Sequence, residues 1–317
     1  MNVKPPVTPS TGDESRAGFF FALSAFLIWG VLALFWKATS HIDAVEVTAH
    51  RVVWSLPVAV AILWAMGRTG DVLPAMRSPR KLGILFICAT IISLNWGVFI
   101  WAISVDRTID TALAYYINPL VSVAMGAIFL GERFNRLQLI AIAIAFCAVL
   151  LLSVLSGEVP WISLWLAGTF ALYGLLRKTV DVGPAQGFLV EVILMFPFGA
   201  IYVLVLLADG ASSFLAGSGT DNLLLILAGP ATSIPLILYA SGAKRLRLAT
   251  IGMMQYIAPT MIFLIGLFIF KEPISQWQWL AFAMIWIALA FYSWSLTGKR
   301  MQSETAPGQA GGSSAAE

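Results

Sequence analysis

Two charges interrupt long apolar stretches, Arg51 and Glu191, and a row of polar side chains marks a third. A charge near the centre of a membrane helix costs about 2.5 to 3.5 kcal/mol, so it holds a substrate charge, relays a proton or pairs with another ion. Arg51, with His50 beside it, is a candidate for a substrate carboxylate, or else a partner of Glu46, Asp43 or Asp110. Glu191 is a candidate proton-coupling carboxylate, or else the structural partner of Arg177, Lys178 or Arg133. The polar row is Thr111, Tyr115, Asn118 and Ser122, whose three- and four-residue steps put them on one helix face. Asn95 is a second mid-span amide. Such groups in hydrocarbon need water or a partner, so the face lines a cavity or bonds a neighbouring helix.

This is the chemistry of binding and charge movement. Bond-making would need clustered catalytic groups, and the ionisable residues inside the apolar runs are scattered. His41 and His50 are the only histidines, Cys88 and Cys147 read as small buried hydrophobes, and no Cys/His spacing suits a metal. No cofactor or nucleic-acid partner is expected. The pattern GxxxxGK[ST] does not occur, so a driving force must come from an ion gradient or from exchange.

These residues need a bilayer to make sense. The chain has 317 residues, 59% hydrophobic and 11% charged, against about 45 to 50% and about 25% in soluble domains. Apolar runs of spanning length predict ten helices near 17–38, 45–66, 81–104, 109–130, 137–155, 160–177, 187–207, 223–242, 248–270 and 276–297. The first run has no small-residue cleavage site and is expected to stay in place as a helix. Residues 1–16 and 302–317, poor in apolar side chains, read as disordered cytoplasmic tails. Lysine and arginine crowd the loops that share a side with both termini, which predicts that side to be cytoplasmic.

The segment Ala114-Tyr115-Tyr116-Ile117-Asn118-Pro119, whose apolar run ends at Gly131-Glu132-Arg133, recurs as Met254-Gln255-Tyr256-Ile257-Ala258-Pro259, ending at Lys271-Glu272-Pro273. Gln138 then falls on Gln278 and Ala141 on Ala281. Other matched positions are Trp29-Gly30 with Tyr173-Gly174, Pro57 with Pro197, and Trp101-Ala102 with Tyr239-Ala240. The fold class expected is therefore an all-α membrane protein of ten helices in two five-helix repeats, 17–155 and 156–301. Because each unit has an odd number of spans, the second is inverted, which is the architectural basis of alternating access. Arg51 and Glu191 align in the repeat but fall at depths on the order of 15 Å apart, at about 1.5 Å per residue, so they are not expected to pair.

Pro119 and Pro259 remove intrahelical hydrogen bonds at matched positions and free the carbonyls of Tyr115 and Gln255, predicting kinks beside a midplane site or a permanent bend for packing. Trp29, Trp101, Tyr173 and Tyr239 are aromatics at matched positions; with Asn95, Tyr115, Asn118 and Gln255 they are the expected substrate-binding set. Lys37 is expected to snorkel to the interface, and Glu132 and Glu272 to cap the fifth and tenth helices.

The chain resembles the drug/metabolite transporter superfamily, in its EamA family and RarD-like branch. The segments that carry the resemblance are Ala49-His50-Arg51-Val52-Val53-Trp54-Ser55, Asn95-Trp96 through Trp101-Ala102, Tyr116 through Val121, and Phe129 through Phe134. In the second half they are Tyr173-Gly174, Arg177-Lys178, Gln255-Tyr256-Ile257 and Pro259-Thr260. The resemblance implies a ten-helix carrier of the bacterial inner membrane with a central cavity, and helices 5 and 10 at the periphery, where a homodimer could form. RarD-like proteins carry a label concerning chloramphenicol sensitivity, and the wider family includes exporters of amino acids and other metabolites. The expected function is a secondary transporter, an exporter, of a small metabolite or drug-like amphipathic solute, and not an enzyme. The alternatives are an intramembrane enzyme on a lipid or lipid-linked substrate and a non-transporting membrane sensor.

Overall fold

Helices form where apolar runs lie between local stop signals. The computed structural model describes residues 12–67, 69–130, 136–243, 245–246 and 254–304. The helices of eight or more described residues are α1 (Gly12–Ala38), α2 (Ala44–Ala65), α3 (Pro79–Ser104), α4 (Thr108–Leu130), α5 (Arg136–Ser156), α6 (Trp161–Lys178), α7 (Pro184–Ala208), α8 (Gly219–Ala243), α9 (Ile257–Leu264) and α10 (Gln276–Glu304), and a short helix, Val72–Met76, lies between α2 and α3. Among the described residues there is no strand. The Asp43 carboxylate caps α2, accepting from the N–H groups of Val45 at 2.9 Å and Glu46 at 3.2 Å. Pro79 and Pro184 stand in the first turns of α3 and α7, where a missing N–H costs nothing.

Among the described residues six helices, α1, α2, α3, α5, α7 and α8, are long and apolar enough to cross a membrane. Large apolar side chains such as Phe146, Val154, Phe198 and Trp294 stay mostly exposed, which suits hydrocarbon and not water. The chain is an all-helical, multi-pass membrane protein. Its first helix begins at Gly12 and its last runs to Glu304, beyond the expected 17 and 297. No proline lies in either extension, so an already nucleated helix continues. The rest of the expected tails, residues 1–11 and 305–317, lies outside the described residues.

The packing is dominated by α5 against α10, α4 against α6, α1 against α8, and α2 against both α7 and α8. Helix α3 packs on α6 and α7, and α9 on α1 and α4. Small residues allow the closest approaches. Gly229 of α8 lies against the backbone of Trp54 in α2, where any Cβ would collide with the Trp54 carbonyl. Cys88 is buried as expected, but Cys147 lies exposed on the outward face of α5.

Of the span expected over 248–270, residues 248–253 lie outside the described residues, and the described part is not one continuous helix. A turn at Gln255–Tyr256 precedes it, and Pro259 stands in the first turn of the helix that follows. Met254 is helical and Tyr256 keeps right-handed helical dihedrals, so the ladder is interrupted where Pro259 offers no N–H to the Gln255 carbonyl, whereas Pro119 lies inside an unbroken α4. The other end of α9 widens into a π-helical turn, Ile265–Ile269, before Lys271 adopts a left-handed φ of 54°.

That turn carries Glu272 back toward α4. The buried Glu272 carboxylate accepts from the N–H groups of Thr108 at 2.9 Å and Ile109 at 3.0 Å. It therefore caps α4, not α10 as expected, because the reversal at Lys271 directs it away from the chain that follows. Glu132 lies outside the described residues. Near the same end, Glu46 Oε1 accepts from Ser212 Oγ and Ser213 N–H, both at 2.7 Å. The Lys37 ammonium donates to the exposed Asp106 at 2.5 Å and to the Ile103 carbonyl at 3.2 Å. Polar contacts thus join several helices at this end of the bundle.

Candidate functional site

A cavity of about 930 Å³ lies inside the bundle. Its wall comes from α1 to α4 and α6 to α9, and no described residue of α5 or α10 contributes. Trp29, Tyr115, Asn118, Tyr173, Tyr239 and Gln255 line it, as do Pro119, Pro259, Arg51 and Glu191. The structure thus gathers most of the sequence-predicted residues around one space.

Two do not reach it. Asn95 is buried and donates through Nδ2 to the Leu166 carbonyl at 2.9 Å and to Thr169 Oγ1 at 2.7 Å, joining α3 to α6. Trp101 packs on Trp161, with ring centroids 5.6 Å apart, and is partly exposed. The cavity face of α3 runs through Ser93, Trp96 and Phe99; Trp101 is five residues past Trp96, about 140° around the helix at about 100° per residue. The polar row on α4 also divides: Tyr115 and Asn118 face the cavity, the buried Thr111 bonds its own helix at the Thr108 carbonyl, and Ser122 donates to Asn118 Oδ1 at 3.4 Å.

Aromatic rings form two walls. Phe26, Trp29 and Tyr239 cluster on α1 and α8 with centroids 5.6 to 5.8 Å apart. A second series runs over α3, α4 and α6, where Phe99 meets Tyr115, Tyr115 meets Phe170, and Phe170 meets Tyr173. Rings in such tilted and edge contacts form stiff apolar surfaces suited to a flat solute.

The charges are placed differently from one another. Glu191 accepts from the Tyr173 hydroxyl at 3.2 Å and faces the Arg177 Nε at 3.3 Å, so α6 and α7 are joined by a buried ion pair. Gly187, one turn before Glu191, leaves the room in which the Arg177 guanidinium lies. Arg51 pairs with none of the acids considered for it. Glu46 is taken by Ser212 and Ser213, Asp43 caps α2, and Asp110 is held by Arg107 and Gln278. Its Nε donates to Thr232 Oγ1 at 2.7 Å, and its guanidinium carbon lies 4.1 Å from the centre of the Trp96 ring. Arg51 and Glu191 share the cavity without touching through a salt bridge.

Sequence reasoning missed Trp96, Phe170 and Thr232 as lining residues. Trp96 was within reach, since the residue after a buried amide points about 100° away from it and a mid-span arginine wants a π face. Thr232, a polar residue between Pro230 and Pro235, carried a weaker signal.

A central aromatic cavity walled by helices from both ends of a multi-pass membrane protein belongs with transporters of the drug/metabolite type. The chain belongs to the EamA-like transporter family, in its RarD branch. That family matches residues 16–154. RarD of Streptomyces exfoliatus is 40% identical over 282 residues, 89% of this chain and 90% of that protein. RarD of Salmonella typhi is 40% identical over 280 residues, 88% and 95% of the two chains. An uncharacterized transporter of Bacillus subtilis, YojE, is 39% identical over 285 residues, 89% and 95%. A crystal structure with 19% sequence identity superposes with a TM-score of 0.57 over 87% of this chain and 97% of that one, a likeness of fold.

Proposed function

We propose that this protein is an inner-membrane secondary transporter that exports a small amphipathic metabolite by alternating access, both termini being cytoplasmic. The observation that carries the reading is the cavity of about 930 Å³ walled by α1–α4 and α6–α9. Its size and aromatic lining with a few polar groups suit one small solute.

The two-unit reading, 17–155 and 156–301, is supported by the packing. Exchanging each helix with the one five places on turns α1–α8 into α6–α3, α1–α9 into α6–α4, and α2–α8 into α7–α3, and all of these pairs are in contact. Pairs α2–α7, α4–α9 and α5–α10 map onto themselves. Two such units offer two near-equivalent packings, one open to each side. The contacts of Glu272, Glu46 and Lys37 then belong to the outer gate, closed in this conformation. A homodimer contact is placed on α5 and α10, which leave the cavity free.

The test is counterflow and uptake in proteoliposomes with a panel of amino acids, aromatic metabolites and chloramphenicol, with and without an imposed pH gradient. Saturable counterflow of one class supports the reading. A purified, folded protein that moves no panel member, and that no panel member stabilises, counts against it.

A further inference from the structure

Arg51 is buried within α2, yet it is the one cationic group of the cavity wall without a carboxylate partner among the described residues, since Arg177 has Glu191. A buried charge left without a counter-ion is costly, and one that a passing ligand can compensate is a binding site. Its surroundings are arranged to hold the guanidinium still. Thr232 hands its own proton to the Ala228 carbonyl at 2.9 Å, so its oxygen is committed to accept from Arg51 Nε. Trp96 supports one face of the planar group at 4.1 Å. Neither partner neutralises the charge, and both leave the fork of terminal N–H groups for a bidentate acceptor.

The other pole is closed to cations. Among the described residues Glu191 is the one carboxylate in the wall, and Arg177 and Tyr173 already engage it. A ligand ammonium would have to displace a buried guanidinium to reach it. The same cavity is lined by Tyr115, Phe170 and Tyr173, whose rings meet in series.

From this we infer that the cavity selects an organic monoanion: a carboxylate seated on the Arg51 fork, carried by a flat apolar body that lies among the rings, with no amino group required. The inference rests on the transporter reading for its biological sense, but binding is measurable without transport. The full chain, purified in nanodiscs, is titrated with four matched probes: 3-phenylpropionate, its methyl ester, phenylalanine and 2-phenylethylamine. Quenching of intrinsic tryptophan fluorescence and the shift in melting temperature report occupancy. Phenylpropionate is expected to bind about tenfold or more tighter than its ester, the range of a charged hydrogen bond, and tighter than phenylalanine, with the amine weakest. Arg51→Gln removes the preference for acid over ester, and Arg51→Lys, which keeps the charge but not the fork, retains only part of it. Because the ligand series is decisive on the unaltered protein, a variant that fails to fold does not rescue the idea. Equal binding of acid and ester, preference for the zwitterion or the amine, or no binding of the acid overturns it. Counterflow of the ester but not the acid would also sink the inference while leaving the carrier reading intact. Arg51-dependent binding of the acid by a protein that moves no solute would support the inference and sink the carrier.

Discussion

At the scale of single residues, the polar side chains at membrane depth divide into those that face a space and those that face a helix. Asn95 is of the second kind. Asn95→Ala is expected to lower stability by about 1 kcal/mol, in the range of interhelical hydrogen bonds in membranes, with solute specificity unchanged; a thermal melt and a counterflow series check this together. Asn118 is of the first kind, and Asn118→Ala is expected to impair flux at wild-type levels of inserted protein. The Arg177–Glu191 pair makes a sharper case. Removing Arg177 alone leaves a buried carboxylate unpaired, so Arg177→Ala is expected to cost about 3 kcal/mol or more. Combining Arg177→Ala with Glu191→Gln is expected to cost less, because no unpaired charge remains. Among the described residues, the Glu191 carboxylate accepts from Tyr173 and faces Arg177. If it carries the coupling proton, Glu191→Gln abolishes the response of flux to an imposed pH gradient while counterflow persists. Wild-type gradient dependence in that variant would leave the pair a structural one. That Glu191 has a cation as partner was legible from the sequence, since Arg177 was among the three named. The status of Arg51 was not, because it depends on which acids other segments have already claimed.

At the scale of elements, the apolar runs gave the helices to within a few residues, apart from the longer terminal ones and the broken α9. The two matched prolines act differently, Pro259 beside a break in the helical ladder and Pro119 inside an unbroken α4, a difference that their spacing does not reveal. Trp101 shows a further limit: matching its partner Tyr239 in the repeat says nothing of which way a helix is rotated, and a few residues of phase moved it off the cavity. Glu272 could not be assigned from sequence either, because its cap acts on a helix more than 160 residues away. Its loss is therefore expected to act at a distance. Glu272→Ala should cost about 1 to 2 kcal/mol, as for other lost caps, and increase thiol labelling of a cysteine placed at Ile109. Unchanged labelling would show that α4 and α9 stay closed without it. Gly229 tests the α2–α8 contact. Gly229→Leu must part the two backbones and is expected to destabilise by about 3 kcal/mol, seen as a lower melting temperature.

At the scale of the whole molecule, the cavity wall is drawn from α1–α4 and α6–α9, and no described residue of α5 or α10 takes part. If α5 and α10 form a homodimer, the exposed Cys147 on α5 offers a native reporter. Oxidation in the membrane, with Cys88 replaced, is then expected to yield a cross-linked dimer, whereas monomer throughout a cysteine scan of the outward face of α5 would assign that face to lipid. The compensated Glu191 and uncompensated Arg51 also have an electrical meaning. A cavity that accepts one anion and no accompanying cation would send one negative charge across the bilayer per turnover. In a cell whose interior is negative, outward movement of that charge is downhill by about 2.3 kcal/mol per 100 mV, about a fiftyfold concentration ratio at about 1.4 kcal/mol per tenfold. The resting voltage alone would then set the direction of traffic, and a potassium diffusion potential of either sign, imposed on vesicles, would reverse it.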